Sequence, residues 1–356
     1  MTMLLDLTEQ LVEIESESHN EGAIADFVVS YLAPFGHLEV TRVNHNVVAK
    51  TAGDDDTRIV IGGHLDTVPR HPGQVTRREG DLLYGLGTAD MKSSLAIMLE
   101  LATKVELPIV PVTYVFYACE EVGRAHSGLN DLFAVPNLVK GRVALLLEPT
   151  AGGVEAGCQG TLRIEASFGG VRAHTARPFR GVNAIHRMAE ALASVSGIQP
   201  DPIVIDGLTY AQQLQVVSVT GGVAGNVVPD AASFAVNYRF APSTSLDEAE
   251  RWVRSLIEPF IDGDQGDVVT LQDGAGGAMP GLTDPFIAKL VDMASGEPTA
   301  KVGWTDCATF YERGIPACNF GPGDPLLAHH PDEHVNTKTL EAAYGVLHSL
   351  LSEAAR

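Results

Sequence analysis

Acids and histidines gather where apolar runs of this chain break off. His64 and Asp66 follow the run IVIGG, two positions apart and therefore on one side of an extended backbone. Asp90 lies in GTADMK, Glu120 and Glu121 follow VFYAC, Glu148 ends LLLEPT, and His329 and His330 stand in PLLAHHPDE. Imidazole mixed with carboxylate suits divalent ions of the hard-to-borderline type, and a carboxylate behind a ligating imidazole fixes its tautomer. Taken singly, each acid reads as a solvated loop residue and each histidine as an ordinary loop histidine. The pair after VFYAC and the His-Leu-Asp after IVIGG are different, because charge directly behind a buried run is costly unless something pairs with it.

Residues so scattered meet only if a scaffold brings strand ends together, and a parallel sheet does that in one crevice. TRIVIGGHLDTVP begins as a β-branched run, and VPVTYVFYACEE and GRVALLLEPT are unalternating apolar runs, the pattern of strands covered on both faces. Residues 21–33 and 88–104 carry helical spacing. The spacing therefore predicts an α/β fold with a mixed central sheet and flanking helices over 1–159. Between 160 and 273 the order changes to strand, helix, two strands, helix, strand: TLRIEASFGG, NAIHRMAEALASV, LQVVSVTGG, SFAVNYRFAP, SLDEAERWVRSLI and DVVTLQD. That βαββαβ order predicts a compact two-layer insertion, with Ile185, Met188, Leu192 and Val195 facing its core from the first helix. Residues 274–356 return to the first style and complete the larger domain, closing with the helix TLEAAYGVLHSLLSEA.

Composition narrows the partners. Acids outnumber bases 45 to 24, a net charge of −21, which repels phosphate backbones and anionic membranes and makes nucleic acid an unsuitable partner. Four scattered cysteines form neither a disulfide framework nor a CxxC knuckle, which fits a reducing compartment. The first residues lack a basic region and carry acids through their apolar stretch, so they read as an amphipathic helix and not as a leader. A cytoplasmic, soluble protein is expected. GLGTAD lacks the spacing of a dinucleotide loop and the GK of a P-loop.

The segments GHLDTVP, GLGTADMK, ACEEVG, LLLEPT, GVRAHTARPFRGVNAI, GGVAGNVVPD, NYRFAP and NFGPGDPLLAHHPDE together resemble the M20 metallopeptidases and deacylases, which bind two metals. The resemblance spans nearly the whole chain. It implies one divalent ion on His64 and Glu148, a second on Glu121 and His329, and Asp90 as the bridge. His329 takes the ligand role over His330 because the family histidine precedes an acid, here Glu333, by four positions. Zinc is the default ion and cobalt the alternative. The resemblance further implies Glu120 as proton shuttle, Asp66 as acceptor from the second ring nitrogen of His64, and a cis bond from Asp90 to Met91. It makes the 160–273 segment a ferredoxin-like lid that forms a homodimer. His174 would then serve the partner's site as oxyanion donor, Asn226 and Arg239 would clamp a substrate carboxylate or carbonyl, and Thr305 in GWTD would lie at the substrate wall.

EAGCQGTLR, GWTD and NFGPGDPLLAH resemble in particular the members that release succinate from an N-succinyl diamino acid. An acetyl-amino-acid deacylase or a dipeptidase is the alternative. This chain departs from better-known members by carrying Cys158, Gln159, Gly160 and Thr161 where they have an Arg-Arg-Gly-Ser type segment, and by having no arginine from Thr305 to Phe310. An acidic acyl tail needs cationic help, and Arg163, Arg172, Arg177, Arg180 and Arg239 are available for it.

Overall fold

The computed structural model describes residues 3–352. The first two residues of the expected opening helix and residues 353–354 of the expected closing helix lie outside the described residues. The chain forms two compact units: one built from the residues up to Gly157, Pro280–Thr299 and those from Thr309 onward, the other from Cys158–Met279 and Ala300–Ala308. The second unit thus also takes up Ala300–Ala308, a segment the sequence pattern assigns to the larger domain.

The larger unit carries a mixed sheet of eight strands in the order Leu38–Val43, Asn46–Thr51, Val112–Tyr117, Ile59–His64, Val143–Leu146, Ala317–Asn319, Glu155–Ala156 and Thr299–Ala300. Ile59–His64 runs parallel to both Val112–Tyr117 and Val143–Leu146, and all three are buried along their whole length. Their unalternating sequences have this cause: helices cover the sheet, so both faces favour apolar side chains. Leu11, Ile24, Leu95 and Leu347, from four different helices, share one core with Ile61, Tyr114 and Leu145 of the strands. Each such aliphatic side chain contributes about 2 kcal/mol by leaving water. The antiparallel hairpin Leu38–Val43 with Asn46–Thr51 was not legible in the periodicity.

The expected helix over 88–104 begins five residues late, at Ser93, and runs to Lys104. Asp90 and Met91 have non-helical backbone angles, and the bond between them is cis, as the resemblance implies. The Ala89 and Asp90 N–H groups are taken by the Glu333 carboxyl at 2.8 and 3.0 Å, so they do not enter a helical ladder. Gly323 passes this segment so closely that a Cβ would lie 2.3 Å from the Ala89 carbonyl oxygen. Only glycine fits there.

The inserted unit is a four-stranded antiparallel sheet, ordered Gln213–Gly221, Ala231–Phe240, Gly160–Gly169, Val268–Ala275, with helices Ala184–Ser196 and Leu246–Ile257. The chain order is βαββαβ with the first strand inside the sheet, the ferredoxin-like arrangement. Asn183 caps the first helix through Ile185 N and His186 N, and Ser245 with Glu248 forms a capping box on the second. Met188 and Val195 are buried as the spacing requires and Leu192 packs beside them, but Ile185 is 36% exposed. Ile185 sits in the first turn, where the helix's inner face is instead taken by Ala184. Short pairings of Ile203–Ile205 with Leu208–Tyr210 and of Ala173–His174 with Val227–Val228 add to the unit. Among the described residues no helix is long and apolar enough to cross a membrane.

Candidate metal centre

The parallel strands deliver the first donors. His64 is the last residue of Ile59–His64 and is paired in register with Tyr117, while Gly62 is paired with Leu146. His64, the Glu120–Glu121 turn and Glu148 therefore emerge at the same end of the sheet. Asp90 joins them from the non-helical stretch before Ser93, and His329, with φ +63°, from the loop that precedes strand His334–Asn336.

Three groups of donor atoms lie within 4.8 Å of one another: His64, Asp90 and Glu148; Asp90, Glu121 and His329; and His64, Glu120 and Glu121. His64 Nε2 is 3.0 Å from Asp90 Oδ1. His329 Nε2 is 2.9 Å from Glu121 Oε1 and 3.6 Å from Asp90 Oδ2. His330 turns its Nδ1 to the Asp332 N–H at 3.1 Å and belongs to none of the groups.

Electrostatics favours a cation here. Burial alone would depress the His64 imidazole, but Asp66, Asp90 and Glu148 hold it well above the ordinary histidine value. The hydrogen bond that His329 donates to Glu121 pushes its pKa up to about 9, against a smaller opposing effect of burial. Protons on these imidazoles answer the carboxylates around them, and a divalent ion answers the same charge with directed bonds. The donor types fit: imidazole nitrogen and carboxylate oxygen, with Asp90 common to two groups.

Asp66 does more than the resemblance implies. Its main-chain oxygen is the nearer partner of His64 Nδ1, at 3.0 Å, and its Oδ1 stands at 3.5 Å. The carboxylate instead accepts from Glu120 N at 3.0 Å, Glu121 N at 3.1 Å and Ser18 Oγ at 2.7 Å. Burial opposes its ionisation, yet His64, followed by the Ser18 and Glu120 bonds, holds it down at about 2. Glu333 is the reverse case, lifted by burial to about 7 while it fixes Ala89 and Asp90 through their N–H groups. Neither Ser18 nor the main-chain role of Glu333 carried a sequence signal, because each meets its partner, the Asp66 carboxylate or the Ala89 and Asp90 N–H groups, far away in the chain.

Four of the expected site residues belong to the inserted unit. His174 and Asn226 meet there: His174 pairs with Val227, and Thr175 N donates to Asn226 O at 3.0 Å. Both side chains are exposed. His174 Nδ1 accepts from Ala176 N at 3.0 Å, so Nε2 is the ring nitrogen left to donate. Arg239 is half-buried, makes no ion pair among the described residues, and has its pKa lowered by burial. Thr305 is buried, and its main-chain oxygen receives the Cys158 thiol at 3.5 Å.

Residues 60–353 match the sequence profile of peptidase family M20/M25/M40. The chain belongs to that family. Among M20 relatives, the succinyl-diaminopimelate desuccinylase of Corynebacterium glutamicum is 42% identical over 355 residues, covering 98% of this chain and 95% of its own. A Mycobacterium tuberculosis protein provisionally given the same activity is 45% identical over 350 residues, covering 98% and 97%. Of solved structures, a Staphylococcus aureus tripeptidase superposes with a TM-score of 0.82 at 22% identity, over 98% of this chain and 96% of the other. A dinuclear metal-binding M20 peptidase from Bacillus subtilis gives 0.70 at 16% identity, over 98% and 96%. The M20 fold, a mixed sheet with flanking helices and a smaller inserted sheet, is the fold expected from the sequence, and the cluster is a candidate dinuclear centre.

Proposed function

We propose that this M20 enzyme hydrolyses N-succinyl-LL-2,6-diaminopimelate to succinate and LL-2,6-diaminopimelate, a step of lysine and diaminopimelate biosynthesis in the cytoplasm. The observation that carries the chemistry is Asp90, common to the groups His64–Asp90–Glu148 and Asp90–Glu121–His329. The substrate rests on the 42% identity to the Corynebacterium enzyme along almost the whole chain. Four free, buried cysteines fit a reducing compartment.

In this reading His64, Asp90 and Glu148 would hold one ion and Asp90, Glu121 and His329 a second, zinc by default and cobalt as the alternative. A pair of sites that used the third donor group, His64, Glu120 and Glu121, in place of the first would leave the buried Glu148 outside both sets, so the two groups that contain Asp90 are preferred. The chemistry such ions would supply when bound is polarisation of the amide carbonyl and a lowered pKa for a water. Glu120, outside both donor sets, takes a proton from the attacking water and delivers it to the departing amine nitrogen. Asp66 fixes Glu120 and Glu121 through their N–H groups and orients His64. His174 supplies its Nε2–H to the developing oxyanion in the partner subunit, and Asn226 beside it and Arg239 receive the substrate's carboxylates. The homodimer forms through the inserted unit, whose edge strand Gln213–Gly221 leaves Val217 and Val219 more than half exposed.

The test is kcat/KM on a panel of substrates with the metal-loaded protein: N-succinyl-LL-2,6-diaminopimelate, N-acetylornithine and simple dipeptides. The succinyl compound should lead by orders of magnitude. A lead for acetylornithine or a dipeptide would keep the amidohydrolase and overturn the substrate.

A further inference from the structure

The strand Val112–Tyr117 ends just short of the metal centre, and the next backbone N–H groups have left its ladder. Each of the four is taken by a side chain. Ala118 N donates to Asn46 Oδ1 at 2.8 Å, Cys119 N to Glu21 Oε1 at 3.1 Å, and Glu120 N and Glu121 N to the two oxygens of Asp66 at 3.0 and 3.1 Å. All three acceptor residues are buried, with 1% or less of their surface exposed, and they come from three separate segments. Cys119 sits at φ +58°, a left-handed conformation that a side-chain-bearing residue keeps only when its surroundings hold it there. Asn46 is itself seated by Gly128, where a Cβ would lie 1.9 Å from Asn46 Oδ1.

Glu21 is the unexpected member. It immediately precedes helix Gly22–Leu32, the usual place for a capping side chain, but its carboxyl makes no cap bond. Its Oε1 instead receives His19 N at 2.8 Å, Cys119 N and the Cys119 thiol at 3.2 Å, while Oε2 faces His45 Nδ1 at 3.1 Å. A fully buried carboxyl tied on both oxygens has little freedom to relocate, and it grips the residue directly before Glu120.

We propose that Glu21 is a positioning residue for the metal centre: by holding Cys119 in its left-handed conformation it aims the Glu120 and Glu121 side chains, acting with Asp66 as the second of two buried clamps on one turn. This rests on Glu120 being the proton shuttle. A carboxylate displaced by a fraction of an ångström still binds in the same pocket but meets its proton poorly, so the effect falls on turnover.

The experiment compares Glu21→Ala, Glu21→Gln and Glu120→Gln, alone and combined, in metal-loaded protein, with metal content and circular dichroism recorded alongside kcat and KM. Glu21→Ala should lower kcat about 10 to 100-fold with KM within about twofold and metal still bound. Glu21→Gln, whose amide oxygen accepts the same Cys119 N–H, should recover most of the loss. In the Glu120→Gln background, Glu21→Ala should cost nothing further, because both act on one proton transfer. Folded, metal-loaded Glu21→Ala with unchanged kcat overturns the positioning role, and so does an undiminished loss in the Glu120→Gln background. If Glu120→Gln alone keeps full turnover, it is the shuttle assignment that falls. Should Glu21→Ala not fold, Glu21→Asp, whose shorter side chain draws the carboxylate back from the Cys119 N–H, carries the comparison with the same outcomes.

Discussion

Both units bury carboxylates, and they balance them in opposite ways. In the inserted unit the Asp267 side chain is buried and receives Arg187 Nη1 at 2.7 Å and Nη2 at 2.6 Å, with Gly169 N and Asp262 N at 2.9 Å. A forked guanidinium on a carboxylate, with main-chain donors on the remaining lone pairs, is a closed account of charge and hydrogen bonds. In the larger unit, Asp90, Glu121 and Glu148 share their donor groups with two imidazoles, His64 and His329. Balance there depends on protons held by His64 and His329, which a divalent ion can displace. A carboxylate locked by a guanidinium is a structural device, whereas carboxylates met by displaceable imidazole protons can make a binding site.

The sharpest way to break that contrast is at Glu120. Glu120→Gln should keep the metal and lose about 10²–10⁴ in kcat, whereas Glu121→Gln should also release one ion, read by elemental analysis after dialysis. Equal metal affinity in the two variants would mean that the adjacent acids have been assigned the wrong way round. Asp267→Ala, which leaves Arg187 unpaired, should destabilise the folded chain by about 3 kcal/mol in denaturant unfolding. The metal content and kcat of its folded fraction should stay unchanged; any loss of metal would tie the inserted unit's pair to the centre and blur the contrast.

His174 asks whether the inserted unit is only structural. His174→Ala should lower kcat by about 100-fold, on the order of 3 kcal/mol, with both ions retained. Mixing it with Glu120→Gln under subunit exchange should restore activity toward half of wild type per heterodimer, since one site then carries neither lesion. Verified heterodimers that stay inactive would confine His174 to its own subunit's site or remove it from catalysis.

The smallest expected effect is on pH. In metal-free protein His329 is raised above its unfolded value of about 6.5, so its ion pair adds stability in full below that pH and loses it as pH rises through about 9. Metal must displace the same proton, so affinity should rise by about tenfold per pH unit toward 9. Melting curves of metal-free and metal-loaded protein from pH 6.5 to 9 should therefore diverge steadily. Parallel curves would show that His329 is not a ligand.

Much of this was legible because buried strands impose a strong pattern. Unalternating runs before His64, Glu120 and Glu148 announced a doubly covered sheet, and acids at their ends announced a site. The inserted unit was legible for the complementary reason, since the helices Ala184–Ser196 and Leu246–Ile257 carry clear apolar stripes and side-chain caps. The start of the helix at Ser93 was not, because TADMK has ordinary helix formers and only Glu333, some 240 positions later, withdraws the Ala89 and Asp90 N–H groups. Residue types left His329 and His330 equivalent; the family signature pointed to His329, and the loop turns its Nε2 toward Glu121 and Asp90.

The sequence by itself determined the fold class, the family and the kinds of donor atom available, because hydrophobic period and residue chemistry are local properties. Tertiary structure alone decided how those donors are held. Asp66 reads locally as a partner for His64, two residues away, yet its carboxylate is bound chiefly to the Glu120–Glu121 turn. Glu21 reads locally as a helix-start residue, yet it closes on Cys119. Both outcomes follow from one requirement: N–H groups that leave a ladder inside a core must find acceptors, and the acceptor that reaches them is chosen by proximity in space and not in sequence.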